Sequence, residues 1–219
     1  MLPAVILTAN ASGAAWAARQ GLVVMVVDVI DMSTSLEAAL DEGAVAVFGA
    51  SPDAAKPPVP VDPAAIGRLA GERARALGTG VIVIAEPRTG TGEQRRAGIQ
   101  KVLGGLTAAG ATIEAVVPNS GASVVELADF KGKVVVAATG SGGVAFDAAL
   151  TAGAPAVLTG TVARTRRKKG KDPALAAAAR AASAAEKMHR GVAVVAASSN
   201  SMEDLLAADY IYRLILQLF

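Results

Sequence analysis

The chain has 219 residues, 53% of them apolar with a mean hydropathy of +0.45, 21 basic against 19 acidic side chains, one His and no Cys. That length suffices for one core with helices on two faces. No apolar run reaches the roughly 20 residues that span a bilayer, the start MLPAVILTAN lacks the features of a signal peptide, and without Cys there are no disulfides, so one soluble, cytoplasmic domain over 1–219 with no membrane partner is expected.

Short runs of Val and Ile alternate with Ala-rich amphipathic segments. PAVILT (3–8), LVVMVV (22–27), AVAVF (44–48), VIVIA (81–85), TIEAVV (112–117), KVVVAA (133–138), PAVLT (155–159) and VAVVAA (192–197) read as strands bounded by turn residues. Most are apolar on both faces, as parallel strands covered by helices are. Helices are expected over 33–42, 63–77, 93–109, 142–152, 172–190 and 199–218. The fold class is α/β, a layered αβα sandwich around one mostly parallel sheet, with room for an antiparallel member, of about eight strands.

Two stretches interrupt the alternation. Residues 50–63, ASPDAAKPPVPVDP, hold five prolines and form a semi-rigid connector leading to a helix opened by Pro63. In RTRRKKGKDP (164–173), six of the first eight residues are basic, and Asp172 and Pro173 are placed to cap and start the next helix. No aromatic residue accompanies this run to stack bases, so it reads as a solvated or anion-recruiting loop before a nucleic-acid contact. The closing segment DLLAADYIYRLILQLF is apolar on almost every helical face and needs a cover, which favours a homo-oligomer, a dimer in the simplest case.

In open parallel sheets, ligands bind beyond the carboxyl ends of the strands. The residues there are polar: Asp28 with DMSTS, Glu86-Pro87-Arg88 with TGTGE, Pro118-Asn119-Ser120-Gly121, and Thr139-Gly140-Ser141-Gly142-Gly143. Each turn alone is explained by helix capping and tight turns. Together they offer backbone N–H groups, helix N-termini, an acid and an arginine, which suits a small anionic, phosphorylated metabolite.

No Gly-Lys-Ser/Thr follows the glycines, so there is no P-loop. Gly140-Ser141-Gly142-Gly143-Val144-Ala145 fits the dinucleotide pattern, but no acid stands between Asp147 and Asp172 to bind a ribose. One His and no Cys exclude a zinc site, and His189, near a helix end, has a favourable place for partial positive charge. Carboxylate-held Mg²⁺ stays open, with Asp28 and Glu86 as its ligands.

The run VVMVVDVIDMSTSLEAALDEGAVAV resembles the signature of the 2-phosphosulfolactate phosphatase (ComB-like) family, a strand ending in Asp-Val-Leu-Arg-Ala-Thr-Thr-Thr and continuing into a helix closed by Gly-Ala. FKGKVVVAATGSGGVAFDAALTAGAPAVLTGTVART is similar to the family's Lys-Gly-Lys strand, Thr-Asn-Gly-Thr turn and following strand. VPNSGASVVELADF, AEPRTG and SMEDLLAADYI resemble its Gly-Asn-Ser-Pro, Gly-Glu-Arg and Leu-Glu-Asp segments in order. The resemblance implies Mg²⁺-dependent hydrolysis of a phosphate monoester on a small sulfonated hydroxy acid. It assigns Asp28, Asp31, Ser33 and Thr34 to catalysis, with Asp28 and Glu86 on the metal. Glu86, Arg88, Asn119, Ser120, Thr139, Gly140, Ser141, Gly142, Thr161 and Arg164 would bind substrate.

The departures fall on charge. Asp31 stands where the family has Arg, Thr139-Gly140-Ser141-Gly142 replaces the Asn-bearing turn, and the family's Gly-Phe-Asp is absent. Asp in place of Arg turns attraction for a dianion into repulsion. Two readings therefore stand side by side: a phosphatase, and a small-anion-binding protein with changed or lost catalysis.

Overall fold

The structure, a computed structural model, describes residues 4–219; Pro3, at the head of the first expected strand, lies outside the described residues. Eight strands form: β1 (Val5–Ala9), β2 (Val23–Val27), β3 (Ala46–Ala50), β4 (Val81–Ala85), β5 (Ile113–Pro118), β6 (Val134–Ala138), β7 (Val157–Gly160) and β8 (Val192–Ala196). The helices are α1 (Asn10–Arg19), α2 (Met32–Asp41), α3 (Pro63–Ala76), α4 (Gly92–Ala97), α5 (Gln100–Ala108), α6 (Gly142–Thr151), α7 (Asp172–Met188) and α8 (Met202–Leu216), with a short 3₁₀ helix over Gly121–Glu126.

The class is α/β and every strand pairing is parallel, but the single expected sheet is two. One has the order β1-β8-β2-β7 and the other β3-β6-β4-β5. Side-chain parity explains the layering, because alternate residues of a strand face opposite ways. Met25 and Val27 of β2 pack with Ala177, Ala181, Ile211 and Ile215 of α7 and α8, whereas Val24 and Val26 face a central layer. In β4, Val81 and Val83 meet Ile66, Ala70, Val102 and Leu106 of α3 and α5, while Ile82 and Ile84 join that same central layer. There Leu36, Phe146 and the alanines of α1, α2 and α6 lie between the sheets. The sandwich thus has five layers, α/β/α/β/α, instead of three.

The sheets are related by an internal repeat. Replacing β1, β8, β2 and β7 by β5, β4, β6 and β3 converts the order of the first sheet into the second read backwards. The chain crosses between sheets twice, through β2-α2-β3 and back through β6-α6-β7. The sequence carries the same mark: Glu37-Ala-Ala-Leu40, Gly43-Ala44 and Ala46-Val47 recur as Asp147-Ala-Ala-Leu150, Gly153-Ala154 and Ala156-Val157.

Other expectations shift locally. α1 was not foreseen, and the helix expected over 93–109 divides into α4 and α5 at Gly98 and Ile99. Asp62 caps α3, accepting from Ala65 N at 2.9 Å, with Pro63 in its first turn. Asp172 is already inside the first turn of α7, so Lys171 takes the cap position. The basic run is tied to acids nearby: Lys168 to Asp41, Arg167 to Glu42 at 3.0 Å, Arg166 to Glu126 at 3.9 Å. α8 buries Ala207, Ala208, Ile211 and Ile215 but leaves Met202, Leu206 and Tyr210 exposed as a ridge. No helix among the described residues is long and apolar enough to cross a membrane.

α3 and α5 approach through glycines. A Cβ on Gly67 would collide with the Val102 carbonyl, and one on Gly105 with the Ala64 carbonyl, whereas one on Gly104 meets nothing within 4 Å. Gly105→Ala is expected to lower stability by about 2 to 3 kcal/mol through overpacking. In the same helix, Gly104→Ala should raise it by about 0.5 to 1 kcal/mol. Urea denaturation of the two variants checks the pair.

Candidate functional site

The carboxyl ends of the strands do bring distant segments together. Asp28, leaving β2, is 2% exposed and reaches across to α6. Its Oδ2 accepts from Gly142 N at 2.9 Å and Ser141 Oγ at 3.0 Å, and its Oδ1 from Asp31 N at 2.8 Å. Burial pushes the Asp28 carboxyl up from its ordinary range; the Asp31 N–H bond opposes this and the nearby charge of Asp204 adds to it. Asp204, near the start of α8, itself accepts from Val29 N at 2.9 Å, so it braces the turn that carries Asp28.

A second group gathers at the exits of β4 and β5. Arg88 Nε donates to the Asn119 carbonyl at 2.8 Å, and its Nη2 lies 3.4 Å from the Ile30 carbonyl and 3.3 Å from Asp31 Oδ1. Asn119 is fully buried: its Nδ2 donates to Glu86 Oε1 at 2.9 Å and its Oδ1 accepts from Ser35 Oγ at 2.6 Å. The Arg88–Asp31 pair is about half exposed on the arginine side, so its net worth is about 0 to 1 kcal/mol. Burial raises the Asp31 carboxyl, the charges of Asp28 and Glu86 raise it further, and Arg88 and Ser141 lower it. Ser120 Oγ, beside Asn119, is buried without a protein partner.

Several of the remaining hydroxyls bond within the scaffold. Ser33 donates to the Val26 carbonyl at 3.0 Å, inside the core. Thr34 Oγ1 donates to the Val29 carbonyl and lies 2.8 Å from Thr161 Oγ1, which accepts from Ala163 N. Thr139 Oγ1 accepts from Gly143 N at 2.9 Å. Of the residues assigned to substrate at the start of α6, Gly142 has its N–H taken by Asp28; the N–H of Gly143 next to it is taken by Thr139. Arg164 is exposed in the loop after Thr161. His189 ends α7 in a left-handed conformation, φ 54°.

Asp28 and Glu86 do not fit a hydrated Mg²⁺. An octahedral ion that keeps several waters needs open carboxylate oxygens; Asp28 is buried with both oxygens accepting hydrogen bonds, and Glu86 Oε1 holds Asn119. Among the described residues, no three His, Cys, Asp or Glu side chains are grouped to hold a metal.

The open space lies next door. A cavity of about 360 Å³ is bounded by Asn10 and Ser12 of α1, Gly140 and Ser141 before α6, Pro58 of the proline-rich connector, and Ser198, Ser199 and Asn200 after β8. Among the described residues, no charged side chain lines its wall. Asn10 Oδ1 accepts from Ser199 N at 2.8 Å and its Nδ2 donates to Ser199 Oγ at 2.9 Å. No side chain caps α1, and no acid stands in its first turn. These α1 and β8 residues were absent from the sequence-based site, although Asn-Ala-Ser after the first strand and Ser-Ser-Asn after the last are turns of the same polar kind. A larger cavity, about 820 Å³, sits at the opposite end of β1 and β8 among Ala179, Ala182, Leu218 and Phe219; no strand exits meet there, so the smaller one is the candidate.

The internal repeat relates this cavity to the Arg88 cluster. Ala9 pairs with Ala196 as Pro118 pairs with Ala85, which makes Asn10 the counterpart of Asn119 and the β8 exit the counterpart of the β4 exit. The one is open; in the other, Arg88 reaches from the β4 exit to Asp31 and the Asn119 carbonyl.

No protein-family model matches the chain, and no curated protein matches it.

The buried acids predict a pH dependence. Asp28, Asp31, Asp147 and Asp204 are all raised above 3.8, chiefly by burial. Between 3.8 and their folded values the native state keeps protons that the unfolded chain has released. Their contribution is least favourable at neutral pH and improves as pH falls through the folded values toward 3.8. Urea midpoints should therefore show a gain from these groups as the pH is lowered from neutral toward 3.8, and Asp31→Asn should gain less than the parent. Parallel profiles for the two proteins would contradict the assignment.

Proposed function

We propose that the chain binds a small oxyanion of a metabolite in the cavity between the starts of α1 and α6, the binding reading of its resemblance to 2-phosphosulfolactate phosphatases. The observation that carries this is the cavity itself, at the strand exits and walled by hydroxyl, amide and backbone groups without a carboxylate facing into it. Its volume of about 360 Å³ lies in the range of small-ligand sites. The uncapped first turn of α1 supplies N–H donors and the positive end of its dipole. The hydrolytic reading has weaker support, because the acids it needs are engaged with N–H groups and Arg88.

Titration with inorganic phosphate, followed by calorimetry and thermal shift, tests the proposal. Saturation should raise the melting temperature, and Ser199→Ala should weaken binding about fivefold, the loss of one hydrogen bond of about 1 kcal/mol. Mg²⁺-dependent turnover of p-nitrophenyl phosphate that disappears in Asp28→Ala would replace binding by hydrolysis as the function.

The proposal includes a homodimer. The exposed ridge of Met202, Leu206 and Tyr210 on α8 is the apolar surface a second copy would cover. Light scattering at micromolar concentration is expected to give twice the chain mass, and a monomer would remove this element.

A further inference from the structure

Hydrogen-bond direction can be assigned around the cavity. Asp28 Oδ2 already accepts from Gly142 N, so the contact with Ser141 Oγ at 3.0 Å is a hydroxyl donating to a carboxylate. With its hydrogen so committed, Ser141, a residue of the cavity wall, has only lone pairs left to offer a ligand. On the opposite wall the polarity is reversed. Ser199 N–H can only donate, which fixes the Asn10 amide with Oδ1 toward it and leaves Nδ2 donating to Ser199 Oγ. Ser198 Oγ likewise accepts from Asn200 N at 3.1 Å. Both hydroxyl hydrogens, of Ser198 and Ser199, are therefore free to donate to a ligand.

A site made only of donors suits a fully deprotonated oxyanion. One that also holds an acceptor whose hydrogen is fixed elsewhere confronts such an ion, lone pair against lone pair, and leaves that acceptor unpaired. We infer that Ser141, oriented by Asp28, makes the cavity select an oxyanion that still carries a hydroxyl hydrogen, monohydrogen phosphate over sulfate. The inference rests on the cavity being the binding site proposed above, and it adds the device that sets specificity. Ser141 is the group in contact with the ligand, and Asp28 is a positioning residue behind it.

Phosphate and sulfate make a matched pair of probes, since at about pH 8 both are mainly tetrahedral dianions and only phosphate keeps a hydrogen. Calorimetry at constant ionic strength should give phosphate at least about a tenfold advantage. Ser141→Ala should bring the ratio close to one, Ser141→Thr, which keeps the hydroxyl, should retain it, and Ser199→Ala should weaken both anions together. Equal binding of the two anions by the parent protein, or a ratio that Ser141→Ala leaves unchanged, overturns the selectivity while the binding site stands. If neither anion binds, the proposed function fails and the selectivity with it. Circular dichroism of each variant separates a lost preference from a lost fold.

Discussion

The structure turns on the Asp28 carboxylate. It leaves β2 in one sheet, accepts the N–H of Asp31 at the start of α2, and takes Gly142 N and Ser141 Oγ at the start of α6, which arrives from the other sheet. Both helices thus point their positive ends at one buried negative charge, an arrangement favourable for the charge and for the dipoles. Desolvation works against it and raises the carboxyl, while the three donors hold the anion in place. The two halves of the repeat are joined at this point by a charge, where elsewhere in the central layer they are joined by Ala, Leu, Val and Phe side chains.

The middle helices repeat the same device farther along. Glu37 of α2 is buried against Arg180 of α7, which also donates to the Thr159 carbonyl of β7 at 2.8 Å. Asp147, its counterpart on α6, accepts from Ser51 N at 3.1 Å, just beyond β3, and from Asp62 N at 2.8 Å, at the start of α3. β7 and β3 are the edge strands at the crossings between sheets. Each buried acid therefore anchors the chain near an edge strand, where a ladder pairs on one side only. Alanine accounts for the rest: small side chains on α1, α2 and α6 let three helices fit between two sheets with few voids.

Much of this was legible in the sequence, and the gaps have physical causes. β2, β4, β6 and β8 are the central strands, and their Val and Ala runs, apolar on both faces, announce burial between helices. The division into two sheets was not legible, because a strand covered on both faces reads alike in either arrangement; the recurrence of Glu/Asp-Ala-Ala-Leu with Gly-Ala was the available signal. α1 escaped because its Asn10 and Gly13 are poor helix formers, whereas a Cβ at Gly13 would collide with Thr8. At the candidate site, the sequence placed donors and acids beside one another at the strand exits but did not show their pairing. Ser33 and Thr139 read as ligand contacts and are spent on Val26 and Gly143.

The repeat also accounts for why one cleft is open and its counterpart is not. Asn10 and Asn119 stand at equivalent strand exits, and each amide is fixed by the neighbouring exit: Asn10 by Ser199, Asn119 by Glu86 and Ser35. On the β8 side the next residues are Ser and Asn, too short to cross the gap, and a cavity remains. On the β4 side Arg88 is long enough to reach the Asn119 carbonyl and Asp31, and a cation meets a cluster that Asp31 and Glu86 would otherwise leave negative. Asp31 is thereby paired with a cation that comes from the exit of another strand. The charges at the one exit and the open space at the other thus lie apart, although the two exits hold equivalent places in the repeat.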